Sequence, residues 1–194
     1  MAQATNLPAR NVKGNVSPQE KILYVANKLG ISSLKYMQGT TRVIYDQSVT
    51  AATNHTLFEG AAGRDFPLTN LGANGNQFQV DEALLVEQIA FFVPDAADGQ
   101  NFAADATNSF IFDLIIGNKT VMKDVVVETA GQGAFYNGAS KVVTLEGVGI
   151  LIPPQVEFKL NVRPLVTKGR AAASIRCGSY LFGTGVLLNF NTTI

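Results

Sequence analysis

The sequence predicts an all-β fold, an antiparallel β-sandwich of about eight strands that carries a short N-terminal arm and helix. Three observations lead there. Residues 108–127, NSFIFDLIIGNKTVMKDVVV, read as a hairpin with both arms and the turn present: Gly117-Asn118 sits between two apolar runs and suits the positive φ angles of a tight loop. Residues 156–162, VEFKLNV, alternate without a fault and place Val156, Phe158, Leu160 and Val162 inward. Eighteen glycines and seven prolines, with no tryptophan and many Asn, Thr and Ala residues, fit short strands joined by turns better than helices.

Taken in order, residues 1–16 are polar, contain Pro8 and Gly14, and carry Arg10 and Lys13 with no acid, which predicts a mobile arm with two charges free to meet phosphate. Ser17-Pro18-Gln19-Glu20 then opens a helix, with Ser as N-cap, Pro at the first helical position and Glu placed to close a capping box. Ile22, Leu23, Ala26 and Leu29 form its apolar face, and Gly30 offers a left-handed stop. Such a stripe must dock, either on its own sheet or on a neighbouring subunit. Residues 31–37 connect this helix to a sandwich domain spanning 38–194.

Within that domain, residues 41–46 are a short strand, and Leu57-Phe58 mark a second strand or a loop. Residues 64–76 are a connection rich in Gly, Asn, Pro and Asp. Residues 83–93 have features of both a helix start and a strand, and aromatic and β-branched residues before Pro94 favour the strand. Residues 94–107 hold Asp95, Asp98 and Asp105 but lack the ligand spacing and late Glu of a calcium loop, so turn chemistry explains them. In the hairpin, Ile116 is expected opposite Lys119, Leu114 opposite Val121, Phe112 opposite Lys123 and Phe110 opposite Val125, with Ile111, Asp113 and Ile115 on the other face against Asp124, Met122 and Thr120. A connector with Phe135-Tyr136 follows. Residues 141–145 and 150–152 are strand segments separated by Gly147-Val148-Gly149, which lacks the third glycine and following helix of a nucleotide site. After the basic turn Lys168-Gly169-Arg170, residues 174–182 and 186–190 form a long last strand, bulged or bent at Gly183-Thr184-Gly185.

The charge balance bears on function. Fifteen basic and fifteen acidic residues cancel, which removes the bulk argument for nucleic acid or an anionic membrane as main partner. Charged residues make up only 15% of the chain, so its surface is poorly defended against self-association. Residues 1–6 lack the features of a signal peptide, no apolar run reaches the length of a membrane helix, and a lone Cys177 excludes an internal disulfide. No nucleophile elbow, phosphate loop, HExxH or Cys-x-x-Cys occurs. His55 is expected as a surface or hydrogen-bonded structural residue. No catalytic residue, cofactor or metal site is expected, and the chain is expected not to be an enzyme.

Strand order from residue 41 to 190, with the arm and capped helix before it, suggests a jelly roll. It resembles the single jelly-roll capsid proteins of small tailless icosahedral viruses, and FPLTNLGANGNQFQVDEALLVEQIAFFVP looks like the particle proteins of bacteriophages. The resemblance implies a virion structural protein, made in the host cytoplasm, whose partners are itself and other virion proteins. It also implies subunit contacts through residues 11–29, with Arg10, Lys13, Ile22, Leu23, Ala26 and Leu29 as contact candidates. Contact with the genome through the weakly basic arm is allowed, not required. The competing expectation is a carbohydrate- or receptor-binding β-sandwich, for which Phe102 and Phe135-Tyr136 are the candidate contacts.

Overall fold

A computed structural model describes residues 16–60, 66–71, 76–92, 109–128, 142–145, 147–164 and 176–188. Helix α1 (Pro18–Leu29) and a 3₁₀ turn (Leu34–Tyr36) precede strands β1 (Gln38–Gln47), β2 (His55–Leu57), β3 (Glu82–Phe92), β4 (Ser109–Ile116), β5 (Lys119–Glu128), β6 (Val142–Thr144), β7 (Ile150–Ile152), β8 (Phe158–Pro164) and β9 (Gly178–Leu187). The strands form two antiparallel sheets. One has the order β1-β9-β3-β6, with β7 also on β3, and the other has the order β2-β8-β4-β5. Residues 1–15 of the expected arm lie outside the described residues, as do the connections at 94–107, 129–140 and 168–170.

The pairings are nested around the Gly117-Asn118 turn. β4 pairs with β5, β3 with β6 and β7, β2 with β8, and β1 with β9. Gly117 takes a φ of 57°, as the tight loop requires. The first two pairs, Ile116 with Lys119 and Ile115 with Thr120, are the ones the sequence indicates, but beyond them the expected register is wrong. Leu114 faces Met122, Phe112 faces Val125 and Phe110 faces Val127, because β5 contains extra residues where the register shifts. Asp124 sits at the second shift with a φ of 52°, its N–H donating to Asp113 Oδ1 at 2.7 Å. These bulges replace Val121 and Lys123 on the inner face with Met122 and Val127, which join the core beside the expected Val125.

Apolar contact between the sheets holds them together. Phe91 on β3 lies 4.9 Å from Phe112 and 5.9 Å from Phe110 on β4, ring centre to ring centre. At the opposite end Phe158 stacks on Phe78 and tilts against Phe58, each at 5.4 Å. Phe158, Leu160 and Val162 point inward as their alternation predicts, whereas Val156 is half-buried ahead of the strand. Buried Asp46 ties β1 to the segment after β2: its carboxylate accepts from Phe58 N–H at 2.5 Å, and Phe58 has a φ of 59°. The outer edge of β1 is covered by residues 67–70. The Asn70 amide accepts from Tyr45 N–H and donates to the Val43 carbonyl, both at 2.8 Å, so this edge offers no ladder at those groups.

β3 is a strand throughout residues 82–92, and it carries one extra residue, Glu87, where its pairing with β9 shifts. The bulge expected on β9 is therefore on its neighbour. β9 runs unbroken through Gly183 and Gly185. The two glycines answer to close approach: a Cβ on Gly183 would collide with the Leu85 carbonyl oxygen, and one on Gly185 would lie 2.9 Å from Arg42 Cβ. That space lets Arg42 reach across β9 to Glu82 on β3, at 3.1 Å, with its guanidinium 4.8 Å from the Phe78 ring centre.

Because the obstacle at Gly183 is backbone, Gly183→Ala is expected to cost about 1–3 kcal/mol. Gly185→Ala should cost less, since the Arg42 side chain can yield. Urea unfolding of the three proteins checks this, and equal midpoints for wild type and Gly183→Ala would remove the close approach as an explanation.

Candidate interaction surface

Every residue of the helix-bearing sheet that points away from the core lies on one outer face, and its strand register sorts that face into two halves. Toward one end, Gly39, Val186 and Ala83 stand side by side, followed by Thr41, Thr184 and Leu85. Toward the other, Val43, Phe182, Gln88 and Thr144 form one row, and Tyr45, Tyr180, Ala90 and Val142 form the next. The halves meet at the Glu87 bulge.

Helix α1 covers the first half. Its start is as the sequence predicts: Ser17 Oγ accepts from Glu20 N–H at 3.3 Å, and the Glu20 carboxylate accepts from Ser17 N–H at 2.9 Å. Gly30 ends it with a φ of 70°. Val25 and Ala26 are buried with Ala83, Leu85, Val186 and Leu188, and Leu29, Ile31, Met37 and Leu151 pack around them. The docked stripe is thus Ile22, Val25, Ala26 and Leu29, at the i, i+3, i+4, i+7 spacing. The expected face named Leu23 where Val25 belongs. Ile22 lies over Gly39, where a Cβ would stand 2.9 Å from Ile22 Cδ1. On the other flank Lys21 Nζ reaches Glu87 Oε2 at 2.7 Å, while Glu87 Oε1 accepts from Thr184 Oγ1 at 2.6 Å. An apolar seat with a charged latch at one end therefore fixes α1 on its own sheet.

Four of the six contact candidates can be placed. Ala26 is buried under the helix, Ile22 and Leu29 are half-buried against the chain's own sheet, and Leu23 is 38% exposed. Arg10 and Lys13 lie outside the described residues. Sequence reasoning missed Leu34 and Tyr36, which are 44% and 43% exposed on the 3₁₀ turn just after α1. Their signal was faint, because residues 31–37 have no period.

The second half of the face is aromatic. Tyr180 lies 4.8 Å from Phe92, 5.8 Å from Phe182 and 6.0 Å from Tyr45, ring centre to ring centre. Phe92 lies over Gly178, which has no Cβ to obstruct the ring. Burial, and after it the neighbouring Tyr45, push the Tyr180 phenol above its ordinary 10.0.

The outer face of the other sheet differs in kind. Arg163 on β8 pairs with Asp124 at 2.5 Å and approaches Asp113 at 3.6 Å, a polar surface cluster joining β8, β4 and β5. Near the hairpin turn a shallow cleft of about 270 Å³ is lined by Phe58, Glu59, Asn76, Asn118, Glu157 and Lys159, among others. His55 is 6% exposed on the inward side of β2, so the surface position allowed for it is wrong. Cys177 is a buried free thiol in the core. Among the described residues no group of three or more His, Cys, Asp or Glu side chains could hold a metal ion, and no helix is long and apolar enough to cross a membrane. Phe102 and Phe135-Tyr136 lie outside the described residues. No protein-family model matches the chain, and no curated protein matches it.

Lys21→Ala should loosen α1 without unfolding the sandwich. A part-buried pair of this kind is worth about 1 kcal/mol, so α1 amides are expected to exchange hydrogen roughly fivefold faster while β4 and β8 stay unchanged. Unaltered exchange in α1 would mean that the apolar seat alone holds the helix. The folded state favours the protonated Tyr180 phenol, so this stabilisation is complete below about pH 10 and is lost as the pH rises through the raised value. Tyr180→Phe is expected to lose less stability than wild type over that alkaline interval in urea titrations.

Proposed function

We propose that this chain is a structural protein of a virus particle, a jelly-roll subunit that assembles with copies of itself into an icosahedral shell. The observation that carries the reading is the nested strand pairing. If β6 and β7 are counted as one strand interrupted at residues 145–149, eight strands pair as a ribbon folded about Gly117-Asn118, and the ribbon's strands alternate between two four-membered rows. A rolled antiparallel ribbon of this kind is the jelly-roll plan used by viral capsid and lectin domains.

The surface supports the capsid branch. Only 15% of the chain is charged, and Leu23, Leu34 and Tyr36 stand exposed along one segment that is itself anchored to the sandwich. Apolar side chains on a rigid base are suited to burial between subunits, where aromatic and large aliphatic anchors carry most of the energy. The mechanism is mechanical: the sandwich supplies a stiff wall, and the segment from α1 to the 3₁₀ turn presents the contact. Tailless bacteriophages are the class of virus this reading favours, with other virion proteins as further partners.

One observation favours a second reading, a carbohydrate- or receptor-binding module. The cleft beside the hairpin turn gathers Asn76, Asn118, Glu157 and Lys159, polar groups of the kind that hold a sugar. Under that reading Glu157→Ala abolishes glycan binding and leaves the oligomeric state unchanged.

Light scattering after size exclusion, with electron micrographs of any large fraction, is the direct test. Pentamers, shells or regular sheets are expected, and Leu23→Asp combined with Leu34→Asp should dissolve them while leaving the circular dichroism of the sandwich intact. A protein that stays monomeric across concentration would overturn the capsid reading.

A further inference from the structure

β1 is the terminal strand of its sheet, and the two halves of its outer edge differ. Where residues 67–70 run beside it, the groups pointing away from β9 belong to odd-numbered residues. The Val43 carbonyl accepts from the Asn70 amide, Tyr45 N–H donates to Asn70 Oδ1, the Tyr45 carbonyl accepts from Asn70 N–H, and Gln47 N–H donates to the Leu68 carbonyl. β1 pairs with β9 from Gln38 to Gln47 without a register shift, so the same alternation carries back along the strand. The N–H and C=O of Gly39 and Thr41, and the N–H of Val43, therefore point outward as well, and among the described residues nothing pairs with them. Gln38, Thr40 and Thr41 are exposed beside these groups. The stretch lacks the usual guards of an edge strand: it has no proline and no bulge, and its one charged residue, Arg42, is turned across β9 to Glu82.

We propose that this stretch is a twofold contact, in which β1 of one copy pairs antiparallel with β1 of a second and joins two sheets edge to edge. The donors and acceptors select the register. Gly39 of one copy exchanges hydrogen bonds with Thr41 of the other, and the two Thr40 residues meet on the axis. The next pair outward sets Val43 against Met37 of the second copy. There the Val43 carbonyl is already taken by Asn70, and Met37 N–H already donates to the Leu34 carbonyl at 3.1 Å. Those two occupied groups lie opposite each other, and the two that remain, Val43 N–H and the Met37 carbonyl, are a donor and an acceptor. Sliding the copies by two residues either way sets an occupied group against an open one, so this register alone leaves no outward group wasted. The side chains suit it too. The Thr40 pair is of the closer, non-hydrogen-bonded kind, about 4.5 Å between Cα atoms, where opposed threonines are favourable. Gln38 falls opposite Arg42. Leu34 and Tyr36, exposed just ahead of β1, are carried to the Asn70 end of the other copy's edge. The contact adds a twofold to the self-assembly reading and stands without a shell, since a dimer is enough for it.

The test makes Thr40→Cys in the full-length protein, oxidises it with copper phenanthroline and reads the product on a non-reducing gel, with light scattering on the unoxidised protein. The native Cys177 is buried and leaves the readout clean. Opposed residues this close are within disulfide reach, so a linked dimer is expected, whereas Thr120→Cys, exposed on β5, should link several-fold more slowly. Thr41→Pro removes an outward N–H and no bond within its own sheet, and is expected to weaken self-association roughly tenfold or more. No link at residue 40, or one no faster than at residue 120, overturns the proposal while leaving the capsid reading standing if shells form. Unchanged association of a folded Thr41→Pro protein overturns it as well, and if that variant does not fold the cysteine result decides. A linked dimer that never grows beyond two chains supports the twofold and overturns the capsid reading. A protein that stays monomeric overturns both.

Discussion

The extra residue at Glu87 is the constraint on which the rest of this sandwich depends. A regular strand sends alternate side chains to opposite faces, so residues 84, 86, 88 and 90 would share one side. The bulge resets that phase within β3. Leu84 and Val86 face the core before it, and Ile89 and Phe91 face the core after it. Without the reset Phe91 would leave the contact with Phe110 and Phe112 that joins the sheets. The same residue interrupts β3's other neighbour. Leu145 N–H donates to the Glu87 carbonyl at 2.9 Å, and the chain pairs again only at Ile150, after Gly149 with a φ of 100°. A Cβ at Gly149 would run into the Val86 carbonyl oxygen, so the glycine permits the irregular strand to stay close to the irregular one.

That local irregularity is also where the outer face acquires its helix. Bulges re-aim side chains, and here the carboxylate turns outward to accept Lys21 and Thr184. The ion pair adds little energy, as exposed and half-exposed pairs do. Its contribution is position, because the apolar seat of Val25 and Ala26 on Ala83, Leu85 and Val186 could tolerate sliding along the strands. A charge at one end fixes the position of the helix along the strands.

Which features could be read from the sequence follows from whether they are local. The capping box at Ser17 and Glu20, the glycine after Leu29 and the turn at Gly117-Asn118 involve neighbours a few residues apart, and each is found in place. Register in the β4–β5 hairpin is not local beyond the first two pairs. The core needs Met122, Val125 and Val127 under the second sheet, and the strand accommodates this with extra residues that no turn motif announces. β3 was ambiguous for the same reason. The helix-like spacing of Leu84, Leu85, Gln88, Ile89 and Phe92 mixes its two faces: Leu84 and Ile89 turn to the core while Leu85, Gln88 and Phe92 lie on the outer face, and the inward set 84, 86, 89 and 91 loses the strand period at the bulge. For the candidate surface, only Leu23 among the placed contact residues is accessible. Leu34 and Tyr36 depend on a short turn whose orientation is set by α1, which sequence periodicity cannot show.

Two glycines make the last point about how such a fold is encoded. Gly183 and Gly185 look like a place for β9 to bend, and by propensity they weaken a strand. Instead β9 stays straight through them as the central strand between β1 and β3. Gly183 admits the backbone of β3 beside its bulge, and Gly185 admits the Arg42 side chain on its way to Glu82. Each glycine is thus explained by what approaches it, and neither by its own conformation. The irregularity seen in one strand's sequence was the imprint of its neighbour's shape, which is why it was visible in the sequence yet assigned to the wrong strand.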